Sequence, residues 1–274
     1  MSGTEREDGG AIQGLAGQTV VVVGGSAGIG LETARQARAA GAEVVLAARN
    51  AERLRQAADE LKPLSTAAFD AQDTCRLEDF VRELPGTVDH VLVTAGSPSY
   101  RPLAEIDPAE SGREFGGRIA MMLAVARAGR EKVRAGGTLL FIGGTGGRRP
   151  AVGMAVTGAV TAALPALTAN LALEVAPVRM NLIAAGFVDT PLSAALLGDR
   201  LEERREQLRK TLPIGRVVGP ADVAALATHI MVNEALTGAT YDIDGGQQLL
   251  GTDPAAHQTG PWALPESTLG HLTP

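Results

Sequence analysis

The chain predicts a doubly wound α/β fold, a seven-stranded parallel sheet with helices on both faces, and three observations lead there. Short β-branched runs alternate with Ala/Arg/Glu-rich segments of helical length, the rhythm of repeated βαβ units. Seven such runs can be found. The first of them ends in a glycine-rich turn that opens directly into a helical segment.

In chain order the strands are predicted at Thr19–Val23, Glu43–Ala47, Thr66–Phe69, His90–Thr94, Gly137–Ile142, Arg179–Ile183 and Ala239–Ile243. Between them, apolar residues recur every three to four positions in Gly30–Ala40, Asn50–Leu61, Leu77–Glu83, Ser111–Val133, Ala155–Ala176 and Pro220–Val232, which predicts helices. The segment Pro191–Leu212 follows a Gly-containing loop, starts with Pro and turns highly charged in LEERREQLRK. It reads as a mobile helical lid rather than a core layer. One domain over residues 15–250 is expected, between a frayed tail at 1–14 and an extension at 251–274 that carries Trp262. That extension is either disordered or anchored through Trp262 on its own or a neighbouring subunit.

Composition narrows the function. A formal net charge of −6 with scattered basic residues gives no electrostatic footprint for nucleic acid or an anionic membrane, and neither partner is expected. The opening MSGTEREDGG has no apolar run and reads as neither a secretion signal nor a transit peptide, so a cytoplasmic protein is expected. Cys75 is the sole cysteine and reads as a packed or exposed thiol; one thiol forms no internal disulfide. His90, His229, His257 and His271 lack metal-ligand spacing, so no metal is expected, and His90, opening a core strand, reads as structural.

The turn VVVVGGSAGIGLETA carries Gly24, Gly28 and Gly30 between a strand and a helix. Glycines there let the backbone approach a pyrophosphate, whose charge meets the free N–H groups and positive dipole of the helix start. This is a Rossmann-type phosphate cradle. The second strand ends VVLAARN, with Ala48 and Arg49 where an acid would pair with the 2′-hydroxyl of NAD. A guanidinium offers donors to a 2′-phosphate instead, so NADP(H) is favoured, with Ser26 as a second contact; the other reading has Arg49 project into solvent. Ala27 stands where some NADP-binding proteins carry a base.

These features resemble the short-chain dehydrogenase/reductase family, whose loop T-G-x-x-x-G-I-G appears here as VGGSAGIG, Val23 to Gly30. Asp70 and Ala71 match the family's Asp-Val pair at the adenine, and VTAG, with Ala95 and Gly96, matches the turn flanking the ribose. AAGFVDTP resembles the loop that holds the nicotinamide carboxamide, which implies Val188 and Thr190 there. PIGRVVGPADVA and TGATYDIDGG resemble the closing motifs. The cofactor set implied by motif and resemblance together is Gly24, Ser26, Gly28, Ile29, Gly30, Arg49, Asn50, Asp70, Ala71, Ala95, Gly96, Val188 and Thr190.

The family's catalytic tetrad is not found. Anchoring on Leu171–Glu174 at the end of the family's long catalytic helix puts Thr157 at the Tyr position, Thr161 at the Lys position, Gly144 at the Ser position and Arg118 at the Asn position. No slip in register restores the pair, because Tyr100 and Tyr241 are the only tyrosines and neither has Lys62, Lys132 or Lys210 four residues on. An aliphatic hydroxyl is a far poorer acid than a phenol, so the ordinary proton relay is excluded. Hydride transfer can survive that loss if orientation supplies the acceleration and water the proton.

Candidates for the polar work are Tyr100, Arg118, Thr145, Thr157, Arg148 and Arg149; an Arg can stabilise an oxyanion or hold a carboxylate. Each also fits a plain structural role: surface ion pairs for the arginines, packing for the threonines, a pocket wall for Tyr100. Three functions follow: an NADP(H)-dependent oxidoreductase with an atypical site acting on an organic carbonyl or alcohol; a catalytically silent NADP(H)-binding sensor or partner subunit; or a non-redox dehydratase or cyclase. Ala155–Ala176 carries a single charge, Glu174, and needs a covering surface, and the resemblance implies that a second subunit supplies it in a homodimer or homotetramer. Pro165 inside that helix predicts a kink.

Overall fold

The structure is a computed structural model that describes residues 14–250. The expectations on the N-terminal tail, on the extension with Trp262, and on His257 and His271 lie outside the described residues. Seven strands, β1 (Thr19–Val23), β2 (Glu43–Ala48), β3 (Ser65–Ala68), β4 (Val88–Val93), β5 (Val133–Gly144), β6 (Arg179–Ala185) and β7 (Thr240–Ile243), form one parallel sheet in the order β3-β2-β1-β4-β5-β6-β7. The helices are α1 (Gly28–Ala39), α2 (Ala51–Leu61), α3 (Thr74–Glu83), α4 (Pro108–Lys132), α5 (Ala155–Glu174), α6 (Pro191–Leu197), α7 (Leu201–Thr211) and α8 (Pro220–Val232).

Both faces of the sheet are covered, which is why its strands read as unbroken apolar runs. Val20, Val22, Val44 and Leu46 pack on one side with α1, α2 and α8 through Ala34, Leu54 and Ile230. Val21, Val23, Val91 and Phe141 pack on the other with α3, α4 and α5 through Phe80, Met122 and Leu164. The chain runs outward from β1 to β3 and then returns to lay β4 beside β1. The crevice beyond the carboxyl ends of β1 and β4 is therefore the switch point where such sheets bind ligands.

Three helices start earlier than apolar spacing predicts: α1 opens at Gly28 rather than Gly30, and for the other two an aspartate cap is the reason. Asp73 accepts from the N–H of Arg76 at 3.0 Å, so α3 opens at Thr74 rather than Leu77. Asp107 accepts from Ala109 and Glu110 at 2.7 and 3.0 Å, so α4 opens at Pro108 rather than Ser111. Val133, expected to end that helix, instead begins β5.

The expected lid is helical but not one helix. It breaks at Gly198, whose φ of +52° suits glycine, into α6, a short turn and α7. It buries Leu197, Leu208 and Leu212, and Arg205 clasps Asp189 with both nitrogens at 2.8 and 2.9 Å. Among the described residues one helix, α5, is long and apolar enough to cross a membrane. It lays Leu164 and Leu171 into the sheet core, and Pro165 sits within its span.

Arg179 at the start of β6 is 4% exposed and donates to the carbonyls of Gly136, Ile230, Met231, Asn233 and Leu236. The last carbonyls of α8 have no intrahelical partners, so one guanidinium satisfies them and meets the negative end of the helix.

Candidate functional site

The glycine turn is folded tightly against the end of β4. Gly24 and Gly25 both donate to the Ala47 carbonyl, at 2.7 and 3.1 Å, and Gly24 adopts φ +98°. A Cβ on Gly30 would collide with the Gly24 carbonyl oxygen, so the close approach of helix to turn demands glycine there. Ala27 caps α1 without any side-chain bond, and the first-turn N–H groups have no side chain of their own chain as acceptor. That is the donor set a pyrophosphate needs, and the residues fit a dinucleotide. Ser26, Gly28, Arg35, Arg53, Gln56 and Pro191 are among the residues lining a cleft of about 500 Å³ beside this turn.

At the adenosine end the sequence candidates separate. The Arg49 side chain is 77% exposed, and a nitrogen of its guanidinium lies 3.6 Å from an Asp70 oxygen. Asp70 also accepts from the Gln72 N–H at 3.0 Å. Asn50 caps α2 by accepting from the Arg53 N–H at 2.8 Å, Ala71 is buried in the core, and Ile29 packs against the α1 layer. Arg53 escaped the sequence reading. The Asn50 cap is the signal that could have found it, because it fixes residue 53 in the first turn of α2. Arg35 in the same cleft is gripped by Glu60 at 2.5 and 2.9 Å, whereas Arg53 has no ion pair among the described residues.

At the other end, Ala95 and Gly96 are joined to Arg118. The guanidinium of Arg118 donates to the Ala95 carbonyl at 2.6 Å, and a Cβ on Gly96 would strike it. Burial lowers the Arg118 pKa, with the Glu114 carboxylate opposing. Thr157 and Thr161 come together with the β5 exit: a Cβ on Gly144 would rest 3.3 Å from the Thr161 methyl, and one on Gly146 would rest 3.9 Å from the Thr157 methyl. Both hydroxyls are engaged with backbone. Thr157 donates to the Ser99 carbonyl at 2.5 Å and accepts from the Ser99 N–H at 3.2 Å, and Thr161 bonds back to the Thr157 carbonyl at 2.9 Å.

Thr145 is buried and donates its N–H to the Ala185 carbonyl at 3.2 Å, joining the ends of β5 and β6. The Thr190 hydroxyl accepts from the Ser193 N–H at 3.2 Å in a capping box that opens α6. Val188 pairs with Val218. Burial pushes the Tyr100 phenol up to about 12, further from proton transfer near neutrality. Arg148 is a surface ion pair, holding Asp242 with two nitrogens, each at 2.5 Å. Cys75 is exposed on α3.

The sheet order, the switch-point crevice and the glycine turn define a Rossmann-type nucleotide-binding protein. A family model described as Enoyl-(Acyl carrier protein) reductase matches residues 23–248. A short-chain dehydrogenase/reductase of Stachybotrys chlorohalonatus is 29% identical over 253 residues, covering 85% of this chain and 97% of that one. The solved MalC Reductase/Diels-Alderase from Malbranchea aurantiaca superposes with a TM-score of 0.79 at 25% identity, over 87% of this chain and 99% of that chain. A small-chain dehydrogenase solved in complex with NADPH superposes with a TM-score of 0.73 at 26% identity, over 85% and 99%. The chain belongs to the short-chain dehydrogenase/reductase family, a family of oxidoreductases.

Proposed function

We propose that the chain is an NADP(H)-dependent reductase of organic carbonyls, working without the Tyr–Lys acid pair of its family. The observation that carries this reading is the uncapped start of α1 at the switch point, with Arg53 and Ser26 in one cleft and Arg49 at the end of β2. No acid ends β2, the carboxylate that is near, Asp70, lies against Arg49, and guanidinium groups suit a phosphate's oxygen pairs. A family member solved with NADPH supports the same choice.

Held by the start of α1 with Ser26 and Arg53, a bound dinucleotide would supply the hydride for reduction of the carbonyl carbon. The carbonyl oxygen then needs a proton, and neither the committed Thr157 hydroxyl nor the raised Tyr100 phenol is suited to give it. Water is the donor in this reading. Arg118 is a half-buried cation bonded to the Ala95 carbonyl, suited in this reading to steady negative charge as it develops, not to act as an acid.

A second reading is a silent NADP(H)-binding protein. It is favoured by the engagement of Thr157 and Thr190 in structural bonds. Titration of NADPH fluorescence, followed by a panel of aldehydes and ketones, separates the two. Binding with NADPH oxidation supports the reductase, binding without turnover supports the silent protein, and no binding refutes both. We also infer a homodimer or homotetramer formed over α4 and α5, whose Phe115, Leu123 and Leu173 stand exposed; sedimentation as a monomer at micromolar concentration would exclude it.

A further inference from the structure

Most arginines and the lysine of the lid and of the β5 exit are held by carboxylates, and among the described residues Arg204 and Arg149 have none. On α7, Arg205 pairs with Asp189 and Glu202, Arg209 with Glu202, and Lys210 with Glu206. Arg204 has no carboxylate partner among the described residues, although it is the buried one, at 8% exposure. It donates to the Gln207 side chain at 2.7 Å, its guanidinium carbon sits 5.8 Å from the centroid of the Phe187 ring, and its Nε is buried with no partner. After β5 the same contrast recurs: Arg148 is held by Asp242, while Arg149 has only the Gln247 carbonyl, at 2.6 Å.

Gln247 ties the two together. Its side chain accepts from the Phe187 N–H at 3.1 Å, so the residue that holds Arg149 through its carbonyl also fixes the ring under Arg204. Phe187 lies one residue before Val188, in the loop at the carboxyl end of β6 beside the switch-point crevice. Burying a guanidinium without a carboxylate is unfavourable, and a second guanidinium nearby adds repulsion. Burial, followed by the Arg149 charge, pushes Arg204 down to about 10. An anion between the two would offset both penalties and fill the empty Nε donor.

The geometry points to a carboxylate-binding subsite formed by Arg204 and Arg149 over Phe187, so that the substrate is an oxo acid held by its carboxylate. This deepens the reductase reading and rests on it for the word substrate. The subsite itself is tested by binding alone.

The test is calorimetry on the NADPH-loaded full chain, with a chain-length series of γ-oxo carboxylates and their methyl esters, followed by NADPH oxidation with the same compounds. The acids are expected to bind roughly tenfold to a hundredfold tighter than the esters. In Arg204→Gln that preference should vanish with the ester and NADPH affinities unchanged. Arg149→Gln, at a more exposed position, should reduce it as well and serves if the first variant fails to fold. Acid and ester binding alike, no binding of either, or variants that weaken both equally would overturn the subsite. Selective acid binding with no NADPH oxidation would keep the subsite and remove the reductase reading.

Discussion

The Thr157 hydroxyl donates a hydrogen bond to the carbonyl of Ser99 at 2.5 Å and accepts one from the N–H of the same residue at 3.2 Å. The Thr157 side chain is thus a clip, pinning the loop after β4 to the start of α5. The hydroxyl's single proton is already engaged by a half-buried backbone acceptor.

Thr157→Val should therefore act on stability and leave the pH dependence of turnover as it is. Stranding the Ser99 carbonyl and N–H is expected to cost about 1–3 kcal/mol in urea unfolding, while Thr157→Ser keeps most of it. A changed pH–rate profile in Thr157→Val would instead make this hydroxyl part of the proton path.

Cofactor choice should depend on Arg49 and Arg53 jointly. Arg49 alone is exposed and partly neutralised by Asp70, so Arg49→Ala should weaken NADPH only slightly. The double variant Arg49→Ala/Arg53→Ala should shift the NADPH-to-NADH affinity ratio by about tenfold to a hundredfold toward NADH. An unaltered ratio in a fluorescence titration would place the 2′-phosphate elsewhere.

His90 should make the fold acid-sensitive. Its ring is fully buried, bonded through Nε2 to Gln18 at 2.6 Å, with Nδ1 unpartnered, and burial lowers its pKa from 6.5 to about 3. Between those values the unfolded chain binds a proton that the folded chain refuses, so stability is lost as pH falls through that window and is complete above it. His90→Leu should flatten the slope of unfolding free energy over that range, relative to the parent chain. Parallel slopes for the two proteins would show that other groups set the acid limit.

Arg179 should be among the most costly residues to replace. Arg179→Met takes the guanidinium away from the carbonyls of Gly136, Ile230 and Met231, while those of Asn233 and Leu236 keep a second donor, and a loss of about 3–5 kcal/mol is expected by analogy with breaking a buried charged network. A drop under about 1 kcal/mol in chemical denaturation would mean that water replaces the guanidinium freely.

The sheet was legible because its strands are buried on both faces: the runs at Thr19–Val23 and Arg179–Ile183 carry their burial in their composition. Helix starts at Thr74 and Pro108 were missed because an aspartate cap, not apolar spacing, sets them. The tight fold of the glycine turn was legible, since Gly24 and Gly30 leave no room for a Cβ. Arg204 gave no signal, for in LEERREQLRK it is one charge among many.

What the sequence determined by itself is the periodic and the forbidden: alternating elements, glycines where a side chain cannot fit, and the absence of any Tyr with Lys four residues on. What only the tertiary structure decided is which polar group meets which. Arg148 and Arg149 are neighbours in the chain, yet one faces Asp242 and the other the Gln247 carbonyl, and Arg204 and Arg205 diverge in the same way. Electrostatic roles are fixed by distances of a few ångströms between residues far apart in sequence, and local composition does not encode those distances.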